Sequence, residues 1–131
     1  MKRILFVCVE NAGRSQMAEA FANYYGRGKL LASSAGVMLA QRVNPVVVDV
    51  MREKGIDISQ NQPKLLTPRM AEEADNIITM GCSAEKICPA PLLKNAIDWK
   101  LEDPKGKPIE KVREIRDEIE RKVRALLDQS I

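Results

Sequence analysis

Histidine is absent from this 131-residue chain. That absence alone excludes Ser-His-Asp and Cys-His catalysis and every histidine-bearing zinc or iron site. Long apolar runs are missing too. The longest stretch free of charge covers residues 30–41, twelve in all, against the roughly twenty a membrane-spanning helix needs. Six apolar residues, 4–9, follow Met1-Lys2-Arg3, too few for the apolar region of a signal peptide. The expectation is a cytoplasmic protein with no membrane partner. Charge of one sign is scarce as well: 21 basic residues against 18 acidic ones, mostly in mixed-sign sequence, so nucleic acid is not expected as a partner. No repeat, low-complexity tract or Pro/Gly/Ser linker divides the chain, and residues 1–131 read as one domain. With 45% hydrophobic and 30% charged residues, such a domain can bury enough surface to stand without disulfides.

What is present alternates between two periodicities. Residues 3–8 (RILFVC) form a short apolar run of the kind buried on both faces of a sheet. Residues 15–25 have helical composition, and residues 30–35 give a second strand closed by Gly36. Asn44-Pro45 and Thr67-Pro68 each pair a capping side chain with a proline at the first helical position. The first of these helices should run to Lys54 and stop at Gly55, the second to Ala74. Residues 75–80 and 96–101 read as a third and a fourth strand. From about Ile109 a long helix carries Val112, Ile115, Ile119, Val123 and Leu126 on one stripe. Its outer face offers Asp117–Arg121, Glu118–Lys122 and Glu120–Arg124 at i,i+4. Strands alternating with helices imply parallel order, hence an α/β sandwich with ligands at the carboxyl ends of the strands.

The first strand ends at Cys8, and the chain continues Val9-Glu10-Asn11-Ala12-Gly13-Arg14-Ser15 into a helix. Such a strand-to-helix loop can curl so that the N–H groups of Glu10, Asn11, Ala12, Gly13, Arg14 and Ser15 converge on one centre, in front of the positive end of the helix. Gly13 offers backbone freedom for the curve. Asn11 tolerates a left-handed conformation. Arg14 presents a two-pronged fork to a tetrahedral oxyanion. The same field favours thiolate over thiol at Cys8, and Ser15 can donate to the sulfur. The alternative is a buried strand-end cysteine before an ordinary loop.

The segment C-V-E-N-A-G-R-S-Q-M-A-E-A-F resembles the low-molecular-weight protein tyrosine phosphatase superfamily, and within it the thioredoxin-coupled arsenate reductases. S-S-A-G, V-N-P, G-I-D-I-S, D-N-I-I-T-M-G-C and D-W-K-L-E-D-P follow in the family's order. The resemblance implies a three-layer α/β sandwich with a four-stranded parallel sheet flanked by helices, Cys8 as nucleophile and Arg14 as oxyanion binder. It also implies that Asp103, in Glu102-Asp103-Pro104, protonates the leaving oxygen; the local sequence equally suits a turn before proline.

Two activities share such a site. A phosphatase needs Cys8, Arg14, Asp103 and water. An arsenate reductase needs, in addition, thiols that supply two electrons. Cys82 and Cys88, bracketing Ser83-Ala84-Glu85-Lys86-Ile87, answer that demand. The resemblance implies a relay in which Cys82 attacks Cys8, Cys88 attacks Cys82, and thioredoxin reduces the resulting disulfide. Gln16 after Arg14-Ser15, and Gly13 in place of a second loop cysteine, favour the reductase branch. No tyrosine follows Asp103-Pro104 to wall a phosphotyrosine. Glu10 stands where glycine is usual and adds a negative side chain near the anion site. Lys64 stands where some members carry an acidic potassium ligand, so no potassium site is expected; no other metal and no cofactor is expected either. The expected substrate is arsenate or a phosphate-type oxyanion, with arsenate reduction the leading reading and phosphotyrosine hydrolysis the other. Burial of Cys82 and Cys88 as small hydrophobes, a three-cysteine metal site and a non-catalytic oxyanion sensor are the remaining alternatives.

Overall fold

A computed structural model describes residues 1–81 and 96–129. Among these the elements run β1 (Lys2–Cys8), α1 (Arg14–Tyr25), β2 (Leu30–Gly36), α2 (Pro45–Arg52), α3 (Pro68–Glu73), β3 (Asn76–Thr79), β4 (Ile97–Asp98) and α4 (Ile109–Gln129). The strands form one parallel sheet of four in the order β2-β1-β3-β4. β1 is central, and after the exposed Lys2 and Arg3 its residues are buried on both sides, as their unbroken apolar run requires. Ile4, Phe6 and Cys8 face a core shared with Met17 and Phe21 of α1, Val47 and Met51 of α2, and Val112 and Ile119 of α4. Leu5 and Val7 point the other way, toward Ala35, Leu66 and Met70 of α3. Helices on both faces of a parallel sheet make the expected three-layer sandwich.

Capping chemistry sets where α2 and α3 begin. The Asn44 carboxamide oxygen accepts from Val46 N at 2.9 Å and Thr67 Oγ1 from Met70 N at 3.2 Å. α2 gives way at Glu53, slightly short of Lys54, before the chain reverses through Gly55 at φ +76°. β4 is much shorter than residues 96–101. The Asp98 carboxylate accepts from the N–H groups of Gly81 and Lys100, and Lys100 itself is left-handed at φ 53°, so the strand leaves the sheet at once.

α4 departs from its expected pattern in two ways. Leu127, not Leu126, completes the buried stripe; Leu126 is only partly buried. A drift of one residue over this length follows from 3.6 residues per turn. Nor do its acidic residues take up the i,i+4 pairs. Glu120 accepts from Tyr25 Oη and pairs with Lys54 Nζ at 3.1 Å, while Asp117 accepts from Arg116 Nε at 2.8 Å. Glu120 thus finds its partners on α1 and just beyond α2, and Asp117 finds one in the preceding residue of its own helix.

The α2–α4 seam is closed by a carboxylate between two arginines. Glu53 accepts from Arg113 Nη2 at 2.8 Å and from Arg116 Nη1 at 2.7 Å, and the buried Arg116 also donates to Val50 O at 2.9 Å. Hydrogen bonds from Arg113 and then Arg116 pull the Glu53 carboxyl from its ordinary 4.5 down to about 2. A folded value below the unfolded one contributes stability that is complete above the unfolded value and lost as pH falls through the folded one. Glu53→Gln should therefore be less stable than wild type near neutral pH, with the gap closing between pH 4.5 and 2. Denaturant unfolding across a pH series measures this; a gap independent of pH would contradict it.

Candidate active site

The site is built where β1 stops. Cys8 is 2% exposed at the strand's carboxyl end, and α1 opens at Arg14. Residues 9–13 between them turn their carbonyls outward. Val9 O accepts from Val37 N and Met38 N, Glu10 O from Ala40 N, and Ala12 O from Asn44 N, at 2.8–3.2 Å. Gly13 O accepts from Met17 N at 2.9 Å, which starts the helix. With its carbonyls spent on residues 37–44 and on α1, the loop presents its N–H groups inward. Among the described residues no acceptor meets the N–H groups of Glu10, Ala12, Gly13, Arg14 or Ser15. Asn11 N donates to Cys8 Sγ at 3.2 Å. The sequence-predicted oxyanion residues thus do form one cup, with the sulfur on its floor.

Asn11 holds the curve. It adopts the expected left-handed conformation at φ 53° and is fully buried. Its Nδ2 donates to Ser15 Oγ at 2.7 Å, and Ser15 Oγ lies 2.8 Å from Cys8 Sγ. Because the Ser15 oxygen accepts from Asn11, its own proton is left for the sulfur. The Asn11 Oδ1 accepts from Lys64 N at 2.8 Å and Gln16 Nε2 at 3.0 Å, which fixes which end of the carboxamide is oxygen. Gln16 reaches on to Gln62 O at 3.2 Å and accepts from Asn61 Nδ2 at 3.2 Å. Sequence reading gave no role to Gln16, Asn61 or Gln62 in this scaffold. The only available signal was a glutamine in the first turn of a helix that should otherwise bury apolar residues there. Lys64 turns its ammonium to Glu19 Oε1 at 3.1 Å, and the same oxygen accepts from Ser34 Oγ at 2.6 Å.

Arg14 is 4% exposed and anchored on one side only. Its Nη1 donates to the carbonyls of Met80 and Leu101, at the ends of β3 and beyond β4. The Nη2 side lies 3.8 Å from the half-exposed carboxylate of Asp103. Asp103 also accepts from Lys105 N at 3.0 Å, so it does sit in a turn and also at the cup. Lys105 Nζ crosses to Glu10 Oε2 at 2.9 Å, a bond that raises the lysine above its ordinary range. Cys8, Glu10, Arg14, Arg42, Asp103 and Lys105 are among the residues lining one cavity of about 300 Å³. Cys82 and Cys88 lie outside the described residues.

Two glycines allow close approach of neighbouring segments. A Cβ on Gly13, whose φ is −144°, would stand 2.8 Å from Pro104 Cγ, so the absent side chain lets the Asp103 loop rest on the cup. A Cβ on Gly36 would stand 2.8 Å from both Asn11 N and Val9 O. Gly13, at φ −144° and ψ −88°, thus also leaves space for proline.

Comparison with known proteins bears on this geometry. Residues 3–131 match the family of low molecular weight phosphotyrosine protein phosphatases. The chain belongs to that family. Within it, the glutaredoxin arsenate reductase of Synechocystis is 37% identical over 130 residues, covering 97% of each chain. A solved arsenate reductase in its phosphate-binding state is 35% identical with a TM-score of 0.89, and the match covers 100% of both chains. The thioredoxin-dependent arsenate reductase of Corynebacterium glutamicum is 36% identical with a TM-score of 0.82, covering 99% of this chain and 62% of that one. No helix among the described residues is long and apolar enough to cross a membrane.

Gly36 supplies the sharpest test of how the cup is supported. Gly36→Ala forces a methyl against backbone on two sides, which should cost about 1–3 kcal/mol of stability. It should also weaken inorganic phosphate binding by about tenfold, since the atoms displaced belong to the cup. Thermal unfolding and phosphate titration measure the two effects. A variant that loses stability yet binds phosphate as wild type does would show that Gly36 supports the sheet alone.

Proposed function

We propose that this protein is an arsenate reductase in which Cys8 is the nucleophile, Arg14 and the loop N–H groups hold the oxyanion, and Asp103 protonates the departing oxygen. The observation that carries the reading is the inward-facing donor cup with Cys8 Sγ on its floor, 2.8 Å from Ser15 Oγ. Its support from outside is the resemblance to arsenate reductases over the full length of the chain. Arsenate enters the cup, and Cys8 sulfur bonds to arsenic as one oxygen leaves with a proton from Asp103. Cys82 sulfur then attacks Cys8 sulfur. The S–As electron pair departs with arsenic, which leaves as arsenite two electrons richer, and a Cys8–Cys82 disulfide remains. Cys88 attacks Cys82, frees the Cys8 thiolate and leaves Cys82–Cys88 for thioredoxin to reduce. These steps need reducing surroundings, which the cytoplasm supplies. The whole chain, 1–131, acts as one domain in this reading.

A second reading keeps the first step and replaces arsenate by a phosphorylated protein. The family description favours it, and Cys8, Arg14 and Asp103 suffice for it. The cysteines separate the two. Cys8→Ser and Arg14→Ala should each abolish arsenite release and aryl phosphate hydrolysis alike. Asp103→Asn should slow aryl phosphate hydrolysis by roughly a hundredfold, less so for leaving groups that are already weak bases. Cys82→Ser should hydrolyse aryl phosphate but yield no arsenite. Cys88→Ser should release about one arsenite per enzyme and stop with Cys8 bonded to Cys82. Arsenite assay with thioredoxin and its reductase, followed by peptide mapping, reads all of these. Wild-type arsenate reduction by both single-cysteine variants would replace the relay with the phosphatase reading.

A further inference from the structure

The site described above leaves one cross-contact without a role. Glu10 belongs to the anion loop and Lys105 to the segment behind Asp103, 95 residues away in the chain, and they meet at 2.9 Å. Both line the cavity above Cys8. Cys8 is buried, whereas the side chains of Glu10 and Lys105 are 31% and 69% exposed, so the pair sits at the rim and the sulfur at the floor. The backbone of Lys105 is held in place. Its N–H holds the Asp103 carboxylate at 3.0 Å, and Pro104 between them rests in the space left by Gly13. The ion pair therefore bridges the two sides of the cup, from the loop that binds the oxyanion to the loop that supplies Asp103.

An exposed ion pair of this kind adds little to stability. A carboxylate is also an unfavourable neighbour for an incoming anion unless a cation neutralises it, and Lys105 is that cation. Bulk and charge then act differently. A bare tetrahedral oxyanion needs only the loop N–H groups and Arg14, whereas an oxyanion carrying an organic group must also place that group against the rim. We propose that Glu10 and Lys105 are specificity-determining residues, whose ion pair straps the mouth of the cup so that it takes a bare inorganic oxyanion in preference to an organic phosphate or phosphonate. The inference rests on the oxyanion cup of the proposed function and adds the class of ligand the cup selects.

The test compares inorganic phosphate with phenylphosphonate, which carries the same kind of head group but cannot be hydrolysed, by calorimetry on the fully reduced protein. Wild type should bind phosphate at least about tenfold more tightly than phenylphosphonate. In Glu10→Ala/Lys105→Ala, which removes the bridge and both charges, that preference should fall at least fivefold. Lys105→Ala alone leaves an unneutralised carboxylate and should weaken both ligands by about five- to tenfold. Glu10→Ala alone leaves a free cation and should tighten both, phenylphosphonate more than phosphate. A merely structural contact would not give single variants of opposite sign. Circular dichroism confirms that each variant is folded. An undiminished preference in the double variant, or equal binding of the two ligands by wild type, would overturn the strap while leaving the cup intact. Binding of neither ligand by wild type would overturn the oxyanion reading itself, and the strap with it.

Discussion

Buried and left-handed, Asn11 is the point through which three parts of the molecule are joined. Its backbone N–H reaches Cys8 Sγ, its Nδ2 orients Ser15, and its Oδ1 accepts from Lys64 N and Gln16. The loop, the first turn of α1 and residues 61–64 therefore share one carboxamide. A buried carboxamide is costly unless it is hydrogen-bonded, and here both its nitrogen and its oxygen are. This network fixes the shape of the loop through the protein's own hydrogen bonds. A loop held in this way has less entropy to lose when a ligand binds.

The fold was legible where one local pattern dominated. An unbroken apolar run announced β1, Asn44-Pro45 and Thr67-Pro68 announced two helix starts, and the steps of three and four from Val112 to Val123 announced the inner face of α4. Each depends on residues near one another in sequence. The misplaced details depend on contacts between distant residues. Nothing in the segment around Ile97 tells that Asp98 will bind Gly81 N and end β4 after two residues. Nothing in the i,i+4 spacing of α4 tells that Tyr25 and Lys54 will capture Glu120.

The site divides along the same line. Cys8, Asn11, Arg14 and Ser15 lie on one short strand-loop-helix unit, so their joint geometry follows from local rules. The same rules gave Gly13 its backbone freedom but not the space it leaves for Pro104, which comes from the far end of the chain. Asp103 could be named only through resemblance, since an aspartate before proline suits any turn. The support from Gln16, Asn61 and Gln62 was out of reach for the same reason: their hydrogen bonds span up to 46 residues.

A cup of backbone donors and an arginine pinned by Met80 O and Leu101 O has nothing with which to gauge an anion's central atom. In the proposed reaction such a cup would read only oxygens, their spacing and their charge. Phosphate and arsenate share these features, so under that proposal phosphate would compete for the same place. Discrimination in the proposed reaction must then come after entry, from the readiness of pentavalent arsenic to accept two electrons that phosphorus refuses. Fidelity of this kind lies in the electronic structure of the substrate, and the protein's share is to release the unreactive guest quickly.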